Sequence, residues 1–442
     1  MREMKDSGVP WIGEIPRDWT TKQLKYCADS AQENSFIDGD WIESPYIEET
    51  GIRYLTTGNI GDGTFKRQGD GHISLESFTA LNCKYAYPGD LAIARLNAPY
   101  GRSCILPEDN DCYVLAVDIV IVRPREDSRF LCYITQCAGY QKKVEDAARG
   151  TTMLRISRTN LGKIKVPLPN IEEQCRIADF LDAKCAEIDS ILEKTRASIE
   201  EYKKLKQSVI TEAVTKGIHG DRQMKDSGIE WIEAIPAEWA VLPLKQLFSF
   251  GKGLSITKDN LVEEGHPVIS YGQIHSKQNS GVSVNDALIR FIAEKDTSEP
   301  SLVYPGDFAF ADTSEDLDGC GNCVYNSSSI AFYGGYHTIV LHSKDSGDHK
   351  YLAYLFKTDP WRLQIRSRLT EVKLFSVSQK VLKKSTILLP SLAEQKEIAA
   401  YLDEKCAAID SLIASKEALI TELEAYKKSI IYEYVTGKKE VL

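Results

Sequence analysis

Few side chains in this sequence stand at spacings that could carry out chemistry. Cys320 and Cys323 form one Cys-x-x-Cys, the spacing of a redox pair or of half a zinc site. No second such pair and no nearby His pair completes a tetrahedron around it, so it receives no metal or redox role. Asn97-Ala98-Pro99-Tyr100 approaches the Asn/Asp-Pro-Pro-aromatic motif with which an adenine methyltransferase holds a flipped base. It lacks the central proline, and no Gly-rich strand-turn-helix accompanies it to cradle a methyl donor. No Walker A sequence and no pair of nuclease carboxylates with a nearby lysine stands out. None of these patterns points to catalysis.

Basic residues form the other chemical signal. From Lys142 to Val166 there are seven (Lys142, Lys143, Arg149, Arg155, Arg158, Lys163, Lys165) against Glu145 and Asp146. From Trp361 to Lys384 there are again seven (Arg362, Arg366, Arg368, Lys373, Lys380, Lys383, Lys384) against Glu371. One such stretch reads as a solvated face. Two at corresponding places favour a surface for a polyanion, although the net charge of −10 argues against a free-standing nucleic-acid binder.

The places correspond because the chain repeats. Met4-Lys5-Asp6-Ser7-Gly8, Trp11-Ile12, Ile15-Pro16 and Trp19 recur 220 positions later as Met224-Lys225-Asp226-Ser227-Gly228, Trp231-Ile232, Ile235-Pro236 and Trp239. Leu168-Pro169, Glu173-Gln174, Ile177-Ala178 and Leu181-Asp182 recur 221 positions later as Leu389-Pro390, Glu394-Gln395, Ile398-Ala399 and Leu402-Asp403. Between these flanks, stretches 20–165 and 240–388 barely match each other. A period this long is a duplicated half-protein, not a solenoid. Matching frames around unlike inserts imply two equivalent modules with different specificities.

After each Leu-Pro the apolar residues fall at three-, four- and seven-residue steps. They run from Ile177 through Ile188 and Ile199 to Ala213, and from Ile398 through Ile409 and Ile420 to Tyr434. Pro169 and Pro390 precede these runs, and Gly217 and Gly437 end them. Each predicts a helix of about 45 residues, roughly 65 Å long, with a seam that needs a partner helix. An antiparallel pairing of the two would place the unlike modules at opposite ends. Within the modules, Ile52–Thr57, Leu91–Arg95, Tyr113–Val117 and Ile119–Arg123 read as strands, followed by one helix, Phe130–Ala148. The second module offers strands Val268–Ile274, Phe308–Asp312 and His337–His342, then a helix Lys350–Arg368 kinked at Pro360. Tyr87-Pro88-Gly89-Asp90 and Tyr304-Pro305-Gly306-Asp307 open a strand in each. The Trp-Ile-Ile-Pro-Trp peptides read as packing clamps at each module's entry.

With 43% hydrophobic and 27% charged residues, the 442-residue chain can build two to four packed domains. No apolar run approaches the ~20 residues needed to cross a bilayer, and no signal-peptide core is present. Eleven scattered cysteines fit reduced thiols in a cytoplasm.

The paired MKDSGxxWIxxIPxxW peptides and Leu-Pro-x-x-x-Glu-Gln-x-x-Ile-Ala-x-x-Leu-Asp helix openings resemble the specificity subunit of a type I restriction-modification system. Gly150-Thr151-Thr152 with Ile156-Ser157 is similar to the family's approach to its first helix. The second module departs there, with Leu369-Thr370-Glu371 placing an acid where the first has a small neutral residue. The resemblance covers essentially the whole chain. It implies an α+β fold of two pseudo-symmetric α/β target-recognition domains separated by two long helices forming an antiparallel coiled coil. The expected divisions are 1–166, first recognition domain; 167–218, central helix; 219–388, second recognition domain; 389–442, C-terminal helix. The implied role is recognition of a bipartite, asymmetric double-stranded DNA target while scaffolding two adenine-methyltransferase subunits and, in the nuclease, restriction subunits. Such a subunit binds no cofactor; S-adenosylmethionine, ATP and Mg belong to its partners. Two other readings stand beside it, a coiled-coil scaffold with two unlike protein-binding heads and a methyltransferase-fused recognition protein.

Base edges are read by Arg, Lys, Asn and Gln, while flanking cations hold phosphates. The base-reading candidates are Asn59, Arg95, Asn97 and Arg102 in the first module and Gln273, His275, Lys277 and Thr313 in the second. The phosphate candidates are Arg155, Arg158, Arg366, Arg368 and Lys373. Glu173, Gln174, Glu394 and Gln395 are candidates for methyltransferase-subunit contact, with N-terminal capping of the helices as their alternative role.

Overall fold

The computed structural model describes residues 2–150, 153–345, 347, 349–369 and 374–441. Thr151, Thr152, Thr370, Glu371 and Lys373 therefore lie outside the described residues. The chain divides into two compact units, one of Met1–Arg196 with Glu417–Leu442, the other of Ala197–Lys416.

In the first unit Leu91–Ala94 and Ile119–Val122 form the centre of a four-stranded antiparallel sheet, flanked by Phe36–Asp38 and Ser103–Ile105. Side chains alternate across a strand, and here both faces are buried. Leu91, Ile93, Val120 and Val122 pack on helices Ser128–Thr135 and Ala138–Ala147 and on the start of the central long helix. Ala92, Ala94, Ile119 and Ile121 pack on Leu55, Tyr113 and Leu115 of a second, smaller sheet. That sheet pairs Ile52–Leu55 in parallel with Tyr113–Leu115. Burial on two sides explains why these strands read as unbroken apolar runs.

The second unit repeats the plan. Its four-stranded sheet runs Phe248–Lys252, Thr338–Ser343, Phe308–Ala311, Cys323–Tyr325. Phe308, Phe310, Ile339 and Leu341 face its helices; Ala309, Ala311 and Val340 face its smaller sheet. In that sheet His266–Ile269 pairs in parallel with Phe332–Gly334, and Arg290–Ile292 with two edge strands, Leu261–Val262 and Leu302–Val303, enlarges it to five.

The two long helices are Ile171–Lys216 and Leu392–Val435. In the first unit Phe180 packs against Tyr434, Asp189 pairs with Lys427 and Arg196 with Glu424, so the helices run antiparallel. In the second unit Asp410 pairs with Lys206, the same pair 221 positions on with the helices exchanged. Gly217 and Gly437 end the helices with φ of +76° and +70°, the left-handed backbone in which a side chain is strained.

Three expectations need correction. The helix predicted over Phe130–Ala148 is two, because Cys137 takes an extended backbone (ψ 128°) and starts the second. Lys350–Arg368 is likewise two, Lys350–Leu355 and Asp359–Arg366, with Pro360 in the first turn of the second, where its missing N–H costs nothing. The strand predicted over Val268–Ile274 stops at Ile269. Ser270 and Gln273 then cap each other reciprocally, and that capping box starts a helical turn, Tyr271–Ile274.

The surroundings of the two helix-ending glycines differ. A Cβ on Gly437 would lie 2.4 Å from Pro16 Cδ, a rigid ring; one on Gly217 would first meet, at 2.6 Å, the far end of the long Arg222 side chain. Gly217→Ala should therefore cost ~1 kcal/mol and Gly437→Ala clearly more, read as thermal midpoints by tryptophan fluorescence. Equal losses would show that Pro16 yields as easily as Arg222.

Candidate nucleic-acid interface

The Tyr-Pro-Gly-Asp turn is built alike in both units. Asp90 Oδ2 accepts from Tyr87 N at 2.9 Å, and Asp307 Oδ2 from Tyr304 N at 3.1 Å. The carboxylate is then held by a cation of the neighbouring strand, Arg123 in one unit (3.3 Å) and His342 in the other (2.9 Å). The strand that follows emerges into a loop, and against that loop lies the basic segment preceding the long helix. Leu96 bridges to Arg155 in the first unit, and Thr313 pairs with Ser376 in the second. Backbone bonds from Ile156 N to Arg95 O (3.1 Å) and from Val377 N to Asp312 O (2.8 Å) complete the same junction. So Arg95, Asn97 and Arg102 lie beside Arg155 at one edge of the first unit, and His275 meets Thr313 at the matching edge of the second.

At that edge their roles separate. Asn59 is 2% exposed, and its amide bonds Thr56 N, Lys66 O and Gln68 O, holding its own turn. Arg95 is 5% exposed, donates to Ile156 O and Val117 O and lies 3.2 Å from Asp38. Burial pushes its guanidinium below the usual pKa, with Asp38 opposing. Arg102 binds the carbonyls of Ile60 (2.7 Å), Thr57 (2.9 Å), Leu96 and Asn97, knitting two loops together. His275 receives Asn322 at Nδ1 (3.1 Å) and gives Nε2 to Thr313 O (2.8 Å). These four support the loops rather than stand free for base contacts: the side-chain polar atoms of Asn59, Arg102 and His275 have partners, and so do those of Arg95 apart from its buried Nε. Asn97 and Lys277 are exposed, and Gln273 and Thr313 partly so. Gln273 caps Ser270 through its oxygen (3.2 Å).

Among the cations, Arg155 lies 2.6 Å from Asp118 and Arg158 3.6 Å from Asp38, both with about two-fifths of the side chain exposed. Arg368 is exposed. Arg366 is corrected: its side chain turns inward onto Asp318 O (2.9 Å) and Asp359 (3.2 Å). Sequence reasoning missed Asp312 and His337, whose side chains meet at 3.2 Å on the same edge. The offset of 217 between the two Tyr-Pro-Gly-Asp turns, carried forward, would have matched Asp312 with Arg95.

The four residues named for partner contact are also corrected. Glu173 and Glu394 are buried, and each accepts from a tryptophan indole at 3.0 Å, Trp19 and Trp239. Arg2 and Arg222 complete the pairs. Gln174 bonds Pro169 O, Glu126 and Asp127 N; Gln395 bonds Pro390 O. The helix caps are Asn170, whose Oδ1 takes Glu173 N (2.9 Å), and Ser391. These carboxylates and amides clamp each module's entry to its long helix.

A family model described as the type I restriction modification DNA specificity domain matches residues 16–201 and 236–425, most of the chain. The chain belongs to the type I restriction-modification DNA specificity family. It is similar to the putative type I restriction enzyme MjaX specificity subunit of Methanocaldococcus jannaschii, 23% identical over 97% of this chain and 96% of that one. It is also similar to the EcoKI specificity subunit of Escherichia coli K12, 23% identical over 72% of this chain and 67% of that one. Its fold matches a chain from a solved type I R-M system, studied for its assembly and conformational transition, with TM-score 0.73 at 16% identity over 96% and 99% of the two chains. The HsdS subunit of Thermoanaerobacter tengcongensis matches with TM-score 0.54 at 16% identity over 96% and 98%.

This specificity subunit recognises DNA as part of a type I system, and its two halves differ in how that edge is anchored. Asp307 raises the pKa of His342 through their hydrogen bond, against the effect of burial. The stabilisation is then complete below the unfolded value of about 6.5 and is lost as pH rises through the raised folded value. Thermal midpoints should therefore fall across that window in the native chain and lose that component in His342→Gln; an unchanged slope would assign the pH dependence elsewhere.

Proposed function

We propose that each unit reads one half of a bipartite, asymmetric duplex target through the loop edge described above, and that the chain itself does no chemistry. The observation that carries this is the repeated junction, in which the basic segment before each long helix pairs with the loop after the Tyr-Pro-Gly-Asp strand, Leu96 with Arg155 and Thr313 with Ser376. Phosphate-holding cations and base-facing loops are then adjacent by construction, on equal scaffolds that carry unlike residues. Asn97, Lys277, Gln273 and Thr313 are the base-facing side chains; Arg155, Arg158 and Arg368 hold phosphates, with Lys373 on the same stretch. Arg155→Ala and Arg368→Ala should weaken binding to target and random duplex alike and lower the salt slope by about 1 each. A loss confined to the target would reassign them to base reading.

The chain scaffolds two adenine-methyltransferase subunits, which bring S-adenosylmethionine, and in the nuclease complex restriction subunits with ATP and Mg. The proposed site of action is the cytoplasm, with its DNA target and methyltransferase partners; no helix among the described residues is long and apolar enough to cross a membrane. Duplication supports two partners of one kind. Exposed apolar residues recur on the long helices 221 positions apart: Ile171 with Leu392, Ile191 with Leu412, Leu205 with Tyr426. Exposed large apolar side chains at matched positions are what two equivalent docking patches require. Native mass measurement should find two methyltransferase subunits per chain, one after Ile191→Glu or Leu412→Glu, and none after both. Two partners on the double variant would remove these helices from the interface.

A further inference from the structure

The matched junctions allow the two reading edges to be compared residue by residue. Arg95 N donates to Asp118 O (2.8 Å) and Asp312 N to His337 O (3.1 Å), so Arg95 corresponds to Asp312 and Asp118 to His337. The first unit fills this place with a buried guanidinium. The second fills it with a carboxylate 34% exposed, beside an imidazole 57% exposed. Asp312 Oδ1 accepts from Thr313 Oγ1 (2.7 Å) and faces His337 Nδ1 (3.2 Å). Its Oδ2 takes part in no hydrogen bond among the described residues. The rings of Tyr271 and Tyr336 stand around His337 at 5.4 and 6.2 Å and fix its position.

An ionised carboxylate only accepts hydrogen bonds, and at a duplex surface it is repelled by phosphates. Such a group is tolerated on a reading edge where it meets a donor. In the major groove the donors are the exocyclic amines of cytosine N4 and adenine N6. Adenine places its N7 acceptor beside that amine, which suits an amide and repels a second oxygen; cytosine presents N4 without a neighbouring acceptor on its own edge. We propose that Asp312, oriented by Thr313 and His337, is a specificity-determining residue of the second unit and accepts from N4 of a cytosine in its half-site. The inference rests on the DNA-reading assignment of this edge.

The test is the methylated motif of cells expressing the full complex with the native chain, Asp312→Asn or Asp312→Ala, together with duplex binding by each purified complex. The native motif should hold a cytosine in one half-site. Asp312→Asn should relax or move that position towards adenine and leave the other half-site unchanged. Asp312→Ala should lose roughly 5- to 150-fold on the cytosine duplex and little on a duplex with that pair changed to T·A. An unchanged motif, a change in both half-sites, or equal loss on both duplexes by a variant with native thermal midpoint would overturn the role of Asp312. A native complex with no sequence preference would instead overturn the DNA-reading assignment beneath it.

Discussion

A buried carboxylate at the start of each long helix is the interaction on which the rest depends. Glu173 and Glu394 are removed from water, and a charge so placed is tolerated only when it is paired and hydrogen-bonded. Each takes an indole N–H and an arginine from the repeated peptide that opens its module. Trp19 is 154 residues from Glu173, so one contact ties together the beginning and end of everything between them. The tryptophans pack edge-on against Phe130 and Tyr351, which carries the constraint into the helices that cover the sheet. The strands Thr20–Gln23 and Lys165–Leu168, and their counterparts Ala240–Pro243 and Thr386–Leu389, close beside the clamp.

With the ends held, the interior can diverge. Both central sheets are buried on two faces, which demands apolar residues but not particular ones: Leu91 and Ile93 in one unit are Phe308 and Phe310 in the other. The loops at the edge have no such demand. There the same backbone junction carries two arginines with two aspartates in one unit and an aspartate with a histidine in the other. Equal scaffolds with unlike edges let one architecture present two different surfaces.

Much of this was legible in the chain. The offset of 220 predicted equivalent modules, and heptad spacing predicted two helices whose ends fall at Gly217 and Gly437. Periodicity is a local property, and each residue on such a seam reports the same period, so the signal accumulates over many turns. Short elements have no such accumulation. The breaks at Cys137 and Pro360, and the turn made by Ser270 and Gln273, each depend on one or two residues.

Residue type alone determined that the halves of this chain correspond and where its cations concentrate. It could not tell which polar side chains remain available. Asn59, Arg95, Arg102 and His275 have the chemistry of base readers, yet carbonyls occupy them, from its own turn for Asn59 and from distant parts of the chain for the other three. Glu173 and Glu394 look like surface acids at a helix start and are instead buried beneath an indole. Hydrogen-bonding capacity belongs to the residue, but whether it is already satisfied depends on neighbours that only the folded chain assembles.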